Sequence, residues 1–157
     1  MTEVTLRPVE DADLDAIFEH RRDPEAVRMA AFTAADPSDR AAFDEHMRRV
    51  RARPDVTLRA IVVDGVLAGT VSSFVIEGDT EVTYWIDRAW WGGGVATRAL
   101  TELLRLVPVR PVTARVAADN EGSRRVLEKC GFREIGTDEG YANGRNATIR
   151  ELILSLP

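Results

Sequence analysis

Three consecutive glycines, Gly92, Gly93 and Gly94, stand between an extended aromatic run that ends at Asp87 and an apolar stripe of helical period that starts at Val95. Glycine weakens a helix or strand interior by roughly 0.5–1 kcal/mol per residue, so the triplet belongs to neither element and fixes a strand, a short loop and a helix in that order. Val95, Ala99, Leu103 and Val107 fall on one stripe with Ala96, Leu100 and Leu104 beside it, which predicts a helix packed on a sheet. Such a helix start also has a chemistry. Its first N–H groups lack intrahelical partners, its dipole is positive at that end, and glycines let main chain approach a phosphate with no Cβ in the way. The same residues suit a plain turn equally well, because short glycine motifs often match by chance. Two common phosphate cradles are excluded by residue type: no Gly-Lys-Ser/Thr closes the loop, and the first βα unit of a Rossmann fold is absent.

The rest of the chain supplies a sheet for that helix. Residues 57–87 are rich in Val, Ile, Thr and aromatics; Asp64-Gly65 predicts a type I′ hairpin turn and Glu77-Gly78-Asp79 the next, giving antiparallel strands at about 57–63, 66–76 and 80–87. Val4 to Pro8 reads as a first strand, and Leu14, Ile17 and Phe18 as the apolar face of a helix. Ser38 or Asp39 caps a second helix through Phe43, Met47 and Val50, which Pro54 stops, while Met29 to Pro37 shows no period and reads as loop. Downstream, "PVTARVAA" predicts a buried strand and "NEGSRRVLEKCGF" a short helix with Val126, Leu127 and Cys130 inward, ended by a left-handed Gly131 with Phe132 as its apolar contact. "FREIG" and "ATIRELILSL" close the chain as two strands, with "DEGYANGRNA" as loop between them. The predicted class is α/β (α+β): a mixed, mostly antiparallel twisted sheet of about seven strands flanked by about four helices, order β-α-α-β-β-β-α-β-α-β-β. Residues 1–157 are expected to form a single domain.

Composition narrows the function. A net charge of −5 gives no general reason to bind nucleic acid, and "HMRRVRAR" at His46 to Arg53 reads as a solvated helix face. No apolar run approaches the roughly 18 residues of a membrane span, and "MTEVTLRPVEDADL" lacks a basic region followed by an apolar stretch, so a soluble, cytoplasmic protein is expected. Cys130 is the one cysteine, which precludes an internal disulfide or a multi-thiolate metal site. It reads as a small buried hydrophobe rather than an acyl carrier. His20 and His46 are isolated, and no metal is predicted.

"YWIDRAWWGGGVATRAL" followed downstream by "ADNEGSRRVLEKCGFREIG" resembles the GNAT superfamily of acetyl-CoA-dependent N-acetyltransferases, in particular its RimJ/RimL-like branch, which modifies protein N-termini and many small amines. The resemblance spans nearly the whole chain and includes the element order. It implies that Trp91, Gly94 and Ala96 hold the defined places of the Gln/Arg-x-x-Gly-x-Gly/Ala loop that binds the coenzyme A pyrophosphate. Trp91 departs from the general Gln or Arg, as is frequent in that branch. The loop then has few side-chain donors, so the N–H groups of Gly92, Gly93, Gly94, Val95, Ala96 and Thr97 carry the phosphates, with Arg88 or Arg98 as auxiliary cations. The resemblance further assigns Trp85, Ile86 and Asp87 to the pantetheine arm, bound by strand-like pairing at a splay in the sheet. Asn120 and Ser123 match the family's Asn-x-x-Ser and would touch the pantetheine and the thioester region. Both are also ordinary residues for a helix start.

Acetyl transfer by direct attack in a ternary complex needs a deprotonated amine, a donor for the oxyanion and a way to accommodate the leaving thiolate. The resemblance implies a backbone N–H near Ile86 as the oxyanion donor. Glu81 and Glu77 are the carboxylates available as base, and both also read as surface acids near a hairpin. Leu127 stands where many members carry an acidic tyrosine, leaving Ser123 as the nearby hydroxyl or solvent as the proton source. The expected catalytic set is therefore Glu81, Ser123 and Asn120. Tyr141, Asn143, Met29 and Phe32 are candidates to line the acceptor pocket. The function expected is an N-acetyltransferase moving acetyl from acetyl-CoA, its co-substrate, to a primary amine, either a small molecule or a protein N-terminal α-amine. The acidic total charge favours a cationic acceptor. The alternatives are a non-catalytic acyl-CoA-binding or sensor module, and a structural interaction protein with a glycine turn. No nucleic-acid or membrane partner is expected, and the protein is expected to be a monomer or a homodimer paired through a strand edge.

Overall fold

The computed structural model describes residues 3–157. Its elements are β1 (Val4–Pro8), α1 (Leu14–Arg22), α2 (Pro24–Ala30), α3 (Arg40–Ala52), β2 (Thr57–Val63), β3 (Val66–Ile76), β4 (Asp79–Ile86), α4 (Val95–Leu106), β5 (Val112–Ala117), α5 (Glu121–Lys129), β6 (Arg133–Ala142) and β7 (Ala147–Leu156). Short 3-10 turns at Asp11–Asp13 and Arg88–Trp90 precede α1 and the glycine loop. The seven strands form one sheet in the order β1-β2-β3-β4-β5-β7-β6, antiparallel except where β4 meets β5.

The meander forms where the turn chemistry places it. Asp64 and Gly65 both take positive φ, the type I′ pattern, and Glu77 and Gly78 repeat it, so the second turn has two residues and Asp79 already pairs with Ile76. Strand alternation then sorts the side chains onto two faces. Ile61, Val71, Val82 and Ile86 join Ala99, Leu100 and Leu103 of α4 and Leu127 of α5 in the main core, whereas Ala60, on the opposite face, packs with Ile17 of α1 and Met47 of α3. Burial of the two fully enclosed leucines of α4, Leu100 and Leu103, contributes about 1.5–3 kcal/mol each. The helix at 121–129 ends as its sequence predicts. Phe132 N–H bonds the Leu127 carbonyl and Gly131 N–H that of Glu128, with Gly131 at φ +96 and Phe132 buried, a complete Schellman closure.

Two elements differ from the sequence reading. A fifth helix, α2, occupies Pro24–Ala30: the Asp23 carboxylate accepts from Ala26 N–H and Pro24 takes the first helical position, where its missing N–H costs nothing. The loop after it is therefore displaced, starting at Ala31 rather than at Met29 and running to Asp39. The strand β6 runs on to Ala142, so Asp138 to Ala142 is strand and the hairpin turn is confined to 143–146. A glycine and charges suggest a turn there, yet on this edge strand Asp138 and Glu139 face water, with Glu139 opposite Arg150, and Gly140 lies beside Phe32. Of the two caps considered for α3, Asp39 takes the role, accepting from Ala42 N–H. No described helix is long and apolar enough to cross a membrane.

Candidate active site

The parallel ladder between β4 and β5 has two register pairs, Thr80 with Val112 and Glu81 with Thr113, and then stops. Beyond it, Val82 to Ile86 continues along β3 on one side and has no β5 partner on the other. The N–H of Asp87 donates to Ala68 in the direction of β3, and peptide groups alternate along a strand, so the main-chain groups of Tyr84 and Ile86 turn away from β3 into the splay. This is an open strand edge of the length an extended ligand arm would pair with. It ends where the glycine loop begins.

Gly92 and Gly94 both lie at φ +80, a conformation an L side chain adopts only under strain, and a Cβ at either would meet nothing within 4 Å. Their backbone needs glycine while the space above them is open. Gly94 is the N-cap of α4 and offers no side-chain acceptor to the first turn, so the N–H groups of that turn lie at an exposed loop beside the splay. The side chain of Val95 is buried in the core, which leaves its main chain alone for a ligand; Ala96 and Thr97 are half-buried on the same turn. Gly93 is exposed between its neighbours.

The aromatic and charged residues around the loop have structural partners. Trp91 donates its indole N–H to the Ile86 carbonyl at 2.9 Å, bracing the loop against the end of β4. Trp85 faces the opposite side and donates to the His20 carbonyl at 3.0 Å. Asp87 lies 3.6 Å from His20 Nε2, a pairing that chain spacing concealed; burial holds the His20 pKa down and the Asp87 charge pulls it up. Arg88 turns to Asp23 at 3.1 Å, so this cation points toward the junction of α1 and α2 rather than into the glycine loop. Arg98 is placed by its N–H, which bonds the Gly94 carbonyl. Between α1 and the loop lies a concavity of about 450 Å³ bordered by Glu19, His20, Asp23, Asp87, Arg88 and Ala89.

Across the splay, Asn120 caps α5. Its Oδ1 accepts from Ser123 N–H at 3.2 Å and its Nδ2 donates to the Met29 carbonyl at 3.2 Å, so both ends of the amide hold the fold together. Ser123 receives an unexpected neighbour. The Tyr84 hydroxyl, from β4, sits 2.5 Å from Ser123 Oγ and 3.2 Å from the Ser123 carbonyl, while Leu127 is buried in the core. Burial pushes the Tyr84 phenol up to about 12, so it is a protonated donor at neutral pH.

Of the two candidate bases, Glu77 is exposed in the β3–β4 turn, at the end of β4 away from the splay, and is out of reach. Glu81 sits at the apex, on the last ladder pair, with Arg115 Nε at 3.5 Å. Burial raises its pKa and Arg115 works against that shift. Arg115 also binds Glu151 at 2.9 Å and Asp138 at 3.3 Å, which leaves three carboxylates around one guanidinium on this face.

The expected acceptor residues gather where the β6–β7 turn meets α2. Asn143 Nδ2 donates to the Thr33 carbonyl at 2.8 Å, Gly144 N–H to the Ala31 carbonyl at 2.8 Å, and Arg145 forks onto Asp119 at 2.8 Å with both terminal nitrogens. A Cβ on Gly144 would lie 2.4 Å from the Val27 carbonyl oxygen, so only glycine permits this approach. Met29 contributes its carbonyl, as above, and Phe32 and Tyr141 are exposed beside the turn, Tyr141 from β6 rather than from a loop. Cys130 lies between α5 and α4, 3.7 Å from the Thr97 carbonyl, and burial pushes its thiol pKa up. Among the described residues no three His, Cys, Asp or Glu side chains gather as a metal site.

Against known proteins, residues 3–133 match the family model described as an acetyltransferase (GNAT) domain. YwnH of Bacillus subtilis (strain 168), provisionally named a phosphinothricin acetyltransferase, is 32% identical over 151 residues, covering 88% of this chain and 90% of its own. YdaF of the same strain, provisionally named a ribosomal N-acetyltransferase, is 28% identical over 155 residues, covering 90% and 85%. The structure of Mycobacterium smegmatis RimJ in complex with CoA-disulfide superposes with a TM-score of 0.81 at 26% identity, covering 97% of this chain and 80% of that one.

Proposed function

The chain belongs to the GNAT acetyltransferase family and is an acetyl-CoA-dependent N-acetyltransferase, and from that premise we propose how its residues divide the reaction. The pyrophosphate of coenzyme A lies at the start of α4, on the N–H groups of Gly92 to Thr97. The pantetheine arm pairs with the open edge of β4 from Val82 to Ile86 and carries the thioester to the apex. There the Ile86 N–H serves the oxyanion, Glu81 takes the proton of the incoming amine directly or through water, and Ser123 faces the departing sulfur. Asn120 positions Ser123 rather than touching the reacting atoms. The acceptor is a primary amine, a small molecule or a protein N-terminal α-amine, approaching from the α2 and β6–β7 side past Met29, Phe32, Tyr141 and Asn143. Residues 1–157 act as one domain, in the cytoplasm, without metal, nucleic acid or membrane.

The observation that carries this reading is the coincidence of two openings: the β4–β5 ladder ends after Glu81 and Thr113 on the same side of the sheet at which α4 starts without a side-chain cap. The names of YwnH and YdaF support an amine acceptor of either size. Thiol release from acetyl-CoA, measured against a panel of small primary amines and N-terminal peptides, is the direct test. Turnover with one class identifies the acceptor. Tight coenzyme binding with no turnover on the whole panel would assign the protein as an acyl-CoA sensor instead.

A further inference from the structure

Ser123 cannot orient its own hydroxyl. Its N–H is committed to Asn120, its main chain is fixed in the first turn of α5, and Oγ can swing among staggered positions about one bond. What fixes it comes from the opposite wall. Tyr84 lies on β4 three residues past the last ladder pair, its ring packed against the main core, and its hydroxyl spans the splay to Ser123 Oγ at 2.5 Å. The phenol has one proton and two acceptors within reach, the Ser123 carbonyl at 3.2 Å and the closer Ser123 Oγ at 2.5 Å; with the proton on the Oγ contact, the serine proton is free to turn into the cleft.

We propose that Tyr84 is a positioning residue which, by donating to Ser123 Oγ, aims the Ser123 hydroxyl at the sulfur of coenzyme A as the acetyl group departs. The proposal rests on the coenzyme placement given above. In the step it serves, the amine nitrogen forms a bond to the carbonyl carbon and the carbon–sulfur bond breaks with its electron pair moving to sulfur. The proton shed by the nitrogen leaves through Glu81 or water, and the thiolate, held by the Ser123 hydrogen bond, takes its own proton from water on release. Tyr84 neither gains nor loses a proton overall. Its hydrogen bond polarises the Ser123 hydroxyl and makes that hydroxyl a stronger donor, as hydrogen bonds in a chain reinforce one another. The phenol stays protonated throughout the pH range of catalysis because burial raises its pKa to about 12.

Tyr84→Phe keeps the ring in the core and removes the hydroxyl. The expected result is a drop in kcat of about tenfold, with the KM for acetyl-CoA within about twofold of wild type. Ser123→Ala should show a similar drop, and the double variant no more than the larger of the two, since the residues act in series. Replacing Tyr84 by 3,5-difluorotyrosine, a more acidic and stronger donor, should raise kcat above the wild-type value; this variant retains the ring and the hydroxyl and covers the case in which Tyr84→Phe fails to fold. A Tyr84→Phe enzyme as fast as wild type, additive effects of the two variants, or a kcat indifferent to the acidity of the phenol in a folded pair would each overturn the proposal. A wild-type protein without transfer activity on any amine would overturn instead the functional reading beneath it.

Discussion

The splay has two walls, and they are built in opposite ways. One is β4 with the start of α4: a strand edge without a partner, a helix without a side-chain cap, three exposed glycines. The other is β5 with the start of α5 and the β6–β7 turn. There Asn120 is bonded at both ends of its amide, Arg145 grips Asp119, and Gly144 lies against Ala31. Apart from the Ile86 carbonyl, which takes the Trp91 indole N–H, the first wall has main-chain groups turned away from protein partners, which is tolerable only at a surface where water or a ligand takes the bonds. The second satisfies its own groups and so has little left to offer a ligand except the Ser123 hydroxyl, the point at which the walls meet. An open helix start is a binding site and a closed one is a joint.

Variants that treat the walls alike would break this contrast. The largest effect is expected at the apex of the open wall, where Glu81→Gln should lower kcat by about 100-fold or more with little change in melting temperature. Because burial places the Glu81 pKa above its ordinary 4.5, wild-type kcat/KM should fall as the pH drops through that raised value, and the Gln variant should lose this limb of the profile. Next, Gly94→Pro removes an N–H and cannot adopt φ +80; the apparent KM for acetyl-CoA should rise more than about tenfold, and an unchanged value would show that the phosphates bind elsewhere. On the closed wall, Asn120→Ala should register in unfolding instead. The lost cap and the lost bond to α2 should cost about 1–2 kcal/mol by chemical denaturation, with the KM for acetyl-CoA within about twofold. The smallest effect is acidic. Arg145 holds the Asp119 carboxyl below its ordinary 3.8, so this pair stabilises the fold fully at neutral pH and loses its contribution as the pH falls through the lowered value; Asp119→Asn should flatten the stability curve below about pH 4.

The open wall was also the legible one. Its parts are consecutive in sequence, and glycines, a turn signal and an apolar stripe each report local backbone requirements that survive in a one-dimensional reading. The meander strands fall within a residue of their predicted limits for the same reason. The closed wall joins Asn120 to Met29, Arg145 to Asp119 and Asn143 to Thr33 across long stretches of chain, and no local pattern announces such bonds. Tyr84 is the instructive omission. Its alternation with Val82 and Ile86 marks it as a core residue, and a reach of 39 positions to Ser123 becomes visible only once β4 and α5 face each other. Arg88 shows the converse, since its place beside the glycines suggested a ligand for phosphate whereas Asp23, brought near by α2, claims it. The α2 helix itself carried a readable signal, an Asp followed by Pro, that the lack of an apolar period obscured.

The meeting of β4 and β5 has a mechanical corollary. A seven-stranded sheet bonded at every seam would be one rigid plate, but here strands β1 to β4 and strands β5 to β7 are two panels hinged on two residue pairs. Behind this seam, Leu100 and Leu103 of α4 and Leu127 of α5 share one core with Val82 of β4 and Val112 of β5. Filling the splay with an extended chain converts two leaves into one board, so the amides flanking it should exchange with deuterated water most slowly when acetyl-CoA is bound.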